Sequence, residues 1–128
     1  MKRIALDTNI AVEILNGNQD TIERLQKFDA LYLPITVCGE LLFGAKNSKK
    51  SKTNEKKLKA FMKSCKTLNS NILIAEEYAN IRLELKGKGN PIPENDIWIA
   101  AICKVNNIPI ATRDKHFKNI DGLKIVGF

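Results

Sequence analysis

The sequence predicts an α/β fold, a mostly parallel β-sheet with helices on both faces. Two observations carry the prediction. Short apolar runs of strand length alternate with segments of helical periodicity along the chain. The stretches between successive strands are long enough to hold a helix, and a strand–helix–strand crossover makes the strands parallel. The 128 residues suffice for one core and not for two, so a single domain over 1–128 is expected.

Taken in order, Arg3–Leu6 reads as a buried strand. Thr8 or Asn9 can cap the helix that follows to about Leu15, and Asn16-Gly17-Asn18 ends it. Thr21–Phe28 has Ile22, Leu25 and Phe28 at helical spacing. Ala30–Leu33 reads as a second strand, stopped by Pro34. Thr36 can cap a helix to about Ala45. The polar piece Asn47–Lys52 reads as an exposed loop. Thr53–Cys65 is amphipathic, with Leu58, Phe61, Met62 and Cys65 on one face and lysines on the other. Ile72–Ile74 reads as a short strand and Ala75–Leu85 as a helix with Tyr78, Ile81 and Leu85 inward. Gly87–Pro91 breaks the chain. Glu94–Val105 has Trp98, Ala101, Ile102 and Val105 on one helical face. Ile108–Ala111 and Leu123–Val126 complete the strands.

Composition narrows the function. Hydrophobic residues are 44% and charged residues 27%, as in a folded globular chain. No apolar run approaches the roughly 20 residues needed to cross a bilayer. The N-terminal apolar piece is too brief for a signal peptide, so no membrane association and a cytoplasmic location are expected. Cys38, Cys65 and Cys103 are widely spaced and odd in number, and read as reduced core residues rather than a disulfide or zinc framework. The net charge of +7 is uneven: Lys46–Lys66 holds nine lysines and one acid, Glu55, so that stretch carries +8 and the rest about −1. Such a block suits a polyanion; it equally suits a solvated face that aids solubility.

In parallel sheets, ligands bind beyond the carboxyl ends of the strands. Asp7 directly follows the first strand, and Asp114 follows Ile108–Ala111. Glu40 lies one turn into its helix among apolar or tiny neighbours, and Asp96 opens the Glu94–Val105 helix. Each acid alone has an ordinary role: turn residue, surface glutamate, helix-dipole partner, loop acid. Together they flank elements that must be buried. Two like charges 4 Å apart repel by about 4 kcal/mol at an effective dielectric of 20. A convergent set therefore calls for cations, and all-oxygen donors suit magnesium or manganese. His116, the only histidine, argues against zinc and reads as a partly exposed loop residue. Carboxylate-held metal ions activate water for phosphodiester hydrolysis, and no serine or cysteine nucleophile constellation competes with that reading.

Four pieces now stand in one order: Leu6-Asp7-Thr8-Asn9, Val37-Cys38-Gly39-Glu40-Leu41, Asp96-Ile97-Trp98-Ile99-Ala100-Ala101, and Ala111-Thr112-Arg113-Asp114 with Phe117. The acids are separated by 33, 56 and 18 residues. In these pieces the whole chain resembles the PIN-domain ribonucleases, specifically the VapC-type toxins of prokaryotic toxin–antitoxin pairs. The resemblance implies a three-layer α/β/α sandwich. It implies Asp7, Glu40, Asp96 and Asp114 as the catalytic, metal-binding quartet for Mg2+ or Mn2+. Asn9 and Thr112 would orient the carboxylates or a bound water; a helix cap and a strand end are their simpler roles. It further implies an RNA substrate, a cognate antitoxin and a homodimer. Lys46, Lys49, Lys50 and Lys52 are candidate RNA contacts. Arg113 stands where the family often has asparagine, and could contact phosphate. An RNA-processing nuclease and an inactive RNA-binding module are the alternatives. A phosphoacceptor signalling domain would want paired acids at the first strand, and Asp7 has no acidic neighbour.

Overall fold

The centre of the sheet is β1 (Arg3–Leu6), flanked by β2 (Ala30–Pro34) and β4 (Ile110–Thr112), with β3 (Lys66–Leu68) and β5 (Ile125–Gly127) at the edges. This arrangement comes from a computed structural model that describes residues 2–128. All four strand pairings are parallel. The helices are α1 (Thr8–Leu15), α2 (Gln19–Leu25), α3 (Ile35–Lys46), α4 (Ser51–Ser64), α5 (Ile72–Lys88) and α6 (Glu94–Val105), with a 3-10 turn at Lys115–Asn119.

Successive strand residues face opposite sides of a sheet. Ile4, Ala5 and Leu6 are nonetheless all fully buried, so both faces of β1 are covered. That is why this strand reads as a continuous apolar run. Helix α6 is buried along Ile99–Cys103, and Trp98 stacks on Tyr78 of α5 with ring centroids 4.0 Å apart. Thus α5 and α6 pack as a pair, and the N-terminus of α6 is fixed beside the sheet.

Strand order reverses at the centre. From β1 the chain winds outward through β2 and β3, then returns to β4 and β5 on the other side. Such a switch point opens a crevice beyond the carboxyl ends of the two central strands. Here those ends are Leu6 and Thr112. The Asp7 N–H donates to the Ala111 carbonyl at 3.0 Å and carries the ladder one residue past β1.

Several boundaries differ from the sequence reading. Ile72–Ile74 is no strand but the first turn of α5, capped by the Asn71 carboxamide, which accepts from the Ile74 N–H at 3.2 Å. Ile72 and Leu73 face outward there. The strand lies earlier, at Lys66–Leu68, and exists because its backbone pairs with β2 at the sheet edge. Asp7, not Thr8 or Asn9, caps α1. Asn18 caps α2, which starts two residues before Thr21. Thr36 lies inside α3, which follows Pro34 directly. Ser51 and Lys52 belong to α4 rather than to the loop before it. Val105 is 39% exposed, not inward. The last two strands start two residues later and end one residue later than expected because pairing with β1 and with each other sets their limits. The glycine break starts later than read, because α5 runs on through Gly87 to Lys88: Gly89 adopts φ +69°, and Asn90 N–H donates to the Leu85 carbonyl, which closes α5.

Candidate active site

Asp7 is built into the crevice by three constraints. Its extended backbone continues the ladder of β1, the carboxylate caps α1, and burial leaves the residue 6% exposed. Its Oδ1 accepts the Thr8 N–H at 2.8 Å, and its Oδ2 accepts the Thr112 hydroxyl at 2.7 Å. The same Thr112 Oγ accepts the Asp114 N–H at 2.9 Å. One buried hydroxyl at the end of β4 therefore aligns both strand-end acids. Thr8 does the same on the other side, with its hydroxyl donating to Glu40 Oε1 of α3 at 2.9 Å. Four elements are tied to one point by two threonines.

Asp96 enters from the first turn of α6. A carboxylate there gains about 0.3–1 kcal/mol from the helix dipole. Its pKa is nevertheless pushed up from 3.8 to about 6, by burial first and then by the charges of Asp114 and Asp7. That shift corresponds to about 3 kcal/mol, so desolvation and repulsion outweigh the dipole. Burial also raises Asp7, with Asp114 adding to the shift and the Thr112 and Thr8 hydrogen bonds opposing it. Among the described residues, no lysine or arginine forms an ion pair with any of the four acids. The cluster concentrates negative charge with His116 as its one basic neighbour among the described residues. Its hard oxygen donors fit a divalent cation of the magnesium or manganese kind.

The fold thus brings Asp7, Asp96 and Asp114 into mutual electrostatic contact and links Glu40 to them through Thr8. Thr112 sits where the sequence reading wanted an orienting group. Asn9 is exposed on the first turn of α1. Two further neighbours join the site. Thr8 is more than the helix cap that its position suggests, and a hydroxyl next to Asp7 at a helix start is the usable signal in the sequence. His116, a loop residue by sequence, has its Nδ1 3.1 Å from Asp114 Oδ1 and 3.6 Å from Asp96 Oδ2.

Two openings lead from Thr8 and Glu40. One, of about 540 Å³, is lined by Thr36, Gly39, Phe43 and Asn95 as well. The other, of about 350 Å³, runs along α4 past Asn54, Lys57 and Leu58. A third cavity, between α5 and the start of α6, touches none of the four acids. Lys49, Lys50 and Lys52 are exposed, whereas Lys46 pairs with Glu55 at 2.6 Å. Arg113 departs from its expected role: its guanidinium holds Glu13 through two bonds of 2.7 and 2.9 Å and donates to the Phe128 carbonyl. Glu13 is held down to about 2 by Arg113 and Thr21. The three cysteines are free thiols, Cys38 and Cys103 buried and Cys65 partly so.

A carboxylate cluster with no lysine or arginine partner, at the switch point of an all-parallel sheet, defines a small α/β protein whose acidic crevice suits a divalent cation. More specifically, the chain belongs to the PIN domain family, whose model matches residues 4–123. It is 32% identical over 123 residues to ribonuclease VapC2 of Rickettsia felis, covering 92% of each chain. Among solved structures it is similar to the VapBC2 complex of Rickettsia felis bound to a promoter DNA fragment, with TM-score 0.89, 30% identity and 98% coverage of both chains. VapBC-1 of nontypeable Haemophilus influenzae matches with TM-score 0.89 and 27% identity, over 98% of this chain and 97% of that one.

Proposed function

We propose that this chain is the toxin of a toxin–antitoxin pair, a divalent-metal-dependent endoribonuclease whose metal is held by Asp7, Glu40, Asp96 and Asp114. The observation that carries the reading is the convergence of Asp7, Asp96 and Asp114 without a lysine or arginine partner, with the pKa of Asp96 driven to about 6. The family, and relatives named as ribonucleases, support RNA as the substrate. A bound Mg2+ or Mn2+ supplies Lewis acidity, lowering the pKa of the attacking water and stabilising charge on the phosphoryl group. The chain does the rest. Thr112 and the Thr8 N–H hold Asp7 with both oxygens committed, which fixes its orientation toward the crevice. Thr8 sets Glu40 in the same frame. The exposed Phe43 ring and Lys57 line the two openings that meet at Glu40. A stacking surface and a cation there suit unpaired bases and a phosphate backbone. Lys49, Lys50 and Lys52 extend the positive field.

The VapBC assemblies of the relatives support an antitoxin partner for this chain. We further assign it a homodimeric state and a cytoplasmic location; free thiols suit a reducing compartment. Among the described residues no helix is long and apolar enough to cross a membrane. Expression in a bacterial host tests the toxin reading. Growth arrest is expected, absent with Asp7→Asn and relieved by the co-expressed neighbouring antitoxin gene. Normal growth with abundant folded protein would favour an RNA-processing role instead.

A further inference from the structure

We propose that His116 gives an imidazole nitrogen to the cation bound by Asp96 and Asp114, making this centre a mixed nitrogen–oxygen site that prefers Mn2+ to Mg2+. This rests on the metal-site reading above and goes beyond it in ligand set and ion preference. The geometry is that of donors around one ion. His116 Nδ1 lies 3.1 Å from Asp114 Oδ1 and 3.6 Å from Asp96 Oδ2, and the three donor atoms lie within 4.8 Å of one another. Adjacent ligands on an octahedral ion with bonds of about 2.1 Å stand roughly 3 Å apart. The two separations from the imidazole, 3.1 and 3.6 Å, are near that spacing, so the three atoms can close on a shared ion.

The backbone holds this arrangement. Asp114 caps the 3-10 turn, its Oδ1 accepting the His116 N–H at 2.9 Å, so Asp114 and His116 are presented as one short chelating loop. The next residue, Phe117, is fully buried and anchors the turn in the core. Asp96 comes from α6, a separate and rigid element. The imidazole itself is half exposed, and the two acids are its ion-pair partners. Magnesium favours oxygen ligands, whereas imidazole nitrogen suits first-row transition ions. A nitrogen donor in this ring of carboxylates therefore tilts selectivity toward Mn2+.

The test uses the full chain loaded with substoichiometric MnCl2. Pulsed electron paramagnetic resonance is expected to show modulation from a directly coordinated 14N, lost in His116→Gln. In calorimetry the same substitution is expected to weaken Mn2+ about tenfold and Mg2+ much less. Bound Mn2+ without nitrogen modulation in the wild type would overturn the proposal and leave the carboxylate site standing. Nitrogen modulation that persists in His116→Gln would also overturn it. Failure of the wild type to bind Mn2+ at all would overturn both this inference and the metal-site reading. The wild-type spectrum decides independently of how the variant folds.

Discussion

Removing the charge of Asp96 is expected to make the metal-free protein more stable while destroying its response to metal. The residue's pKa rises from 3.8 to about 6 on folding. Between those values the folded chain holds a proton that the unfolded chain has released, so folding stability falls as pH rises through that window. Above about pH 6 the full penalty applies, about 3 kcal/mol at 1.36 kcal/mol per pH unit. The side chain is only 16% exposed, so solvent screens little of it. Asp96→Asn keeps the size and removes the charge, though it weakens the contact with His116. A gain of about 1–3 kcal/mol is expected at pH 8 in chelator, or a melting temperature higher by roughly 5–10 °C. The gain is expected to shrink at pH 5 and vanish below pH 4, where wild-type Asp96 is already protonated. Adding metal at 100 times its Kd stabilises the wild type by about 2.7 kcal/mol, and is expected to leave the variant nearly unchanged. Differential scanning calorimetry at pH 4, 5 and 8, with and without Mg2+, measures all of this. A variant less stable than wild type at pH 8 in chelator, or a gain independent of pH, would refute the electrostatic reasoning.

Other perturbations separate the parts of the site. Thr112→Val leaves Asp7 Oδ2 and the Asp114 N–H without their partner; a stability loss of about 1–3 kcal/mol and a 10–100-fold weaker metal affinity are expected from melting and calorimetry. Replacing Lys49, Lys50 and Lys52 with glutamine is expected to weaken binding of single-stranded RNA and flatten its dependence on salt, by up to about 0.7 in log–log slope per lost phosphate contact. An unchanged slope would assign those lysines to solubility. The Glu13–Arg113 pair is expected to be structural: Glu13 titrates at about 2 when folded, so its contribution is present above pH 4.5 and lost as pH falls toward 2. Glu13→Gln is expected to flatten that acid limb of the melting-temperature profile.

Much of the site was legible because strand ends are legible. The fully buried Ile4-Ala5-Leu6 run announces a central strand, and the next residue must then stand at its carboxyl edge. The α6 boundaries were read as they are, since Pro93 precedes the helix and the apolar period is long. The misreadings have a common cause in pairing that a local pattern does not record. Lys66-Thr67-Leu68 lacks an apolar run because an edge strand is exposed; only its bonds to β2 make it a strand. Ile72-Leu73-Ile74 carries a strand-like composition, but Asn71 caps it into a helix. The side-chain network was still harder to foresee. Thr8 reaches Glu40 across 32 positions, and Arg113 reaches Glu13 across 100, distances over which sequence spacing is silent. His116 looked like a loop residue because the turn that aims it at Asp96 depends on Asp114 as its cap.

The proposed activity requires that Asp7, Glu40, Asp96 and Asp114 together hold a divalent ion for RNA hydrolysis. The direct measurement is cleavage of a labelled single-stranded RNA by the purified chain in EDTA, then after excess Mg2+ or Mn2+, with Asp7→Asn in parallel. No cleavage in EDTA, recovery on metal addition and none at any metal concentration in the variant are expected. Cleavage that persists in EDTA, or that the folded Asp7→Asn protein carries out at the wild-type rate, would contradict it.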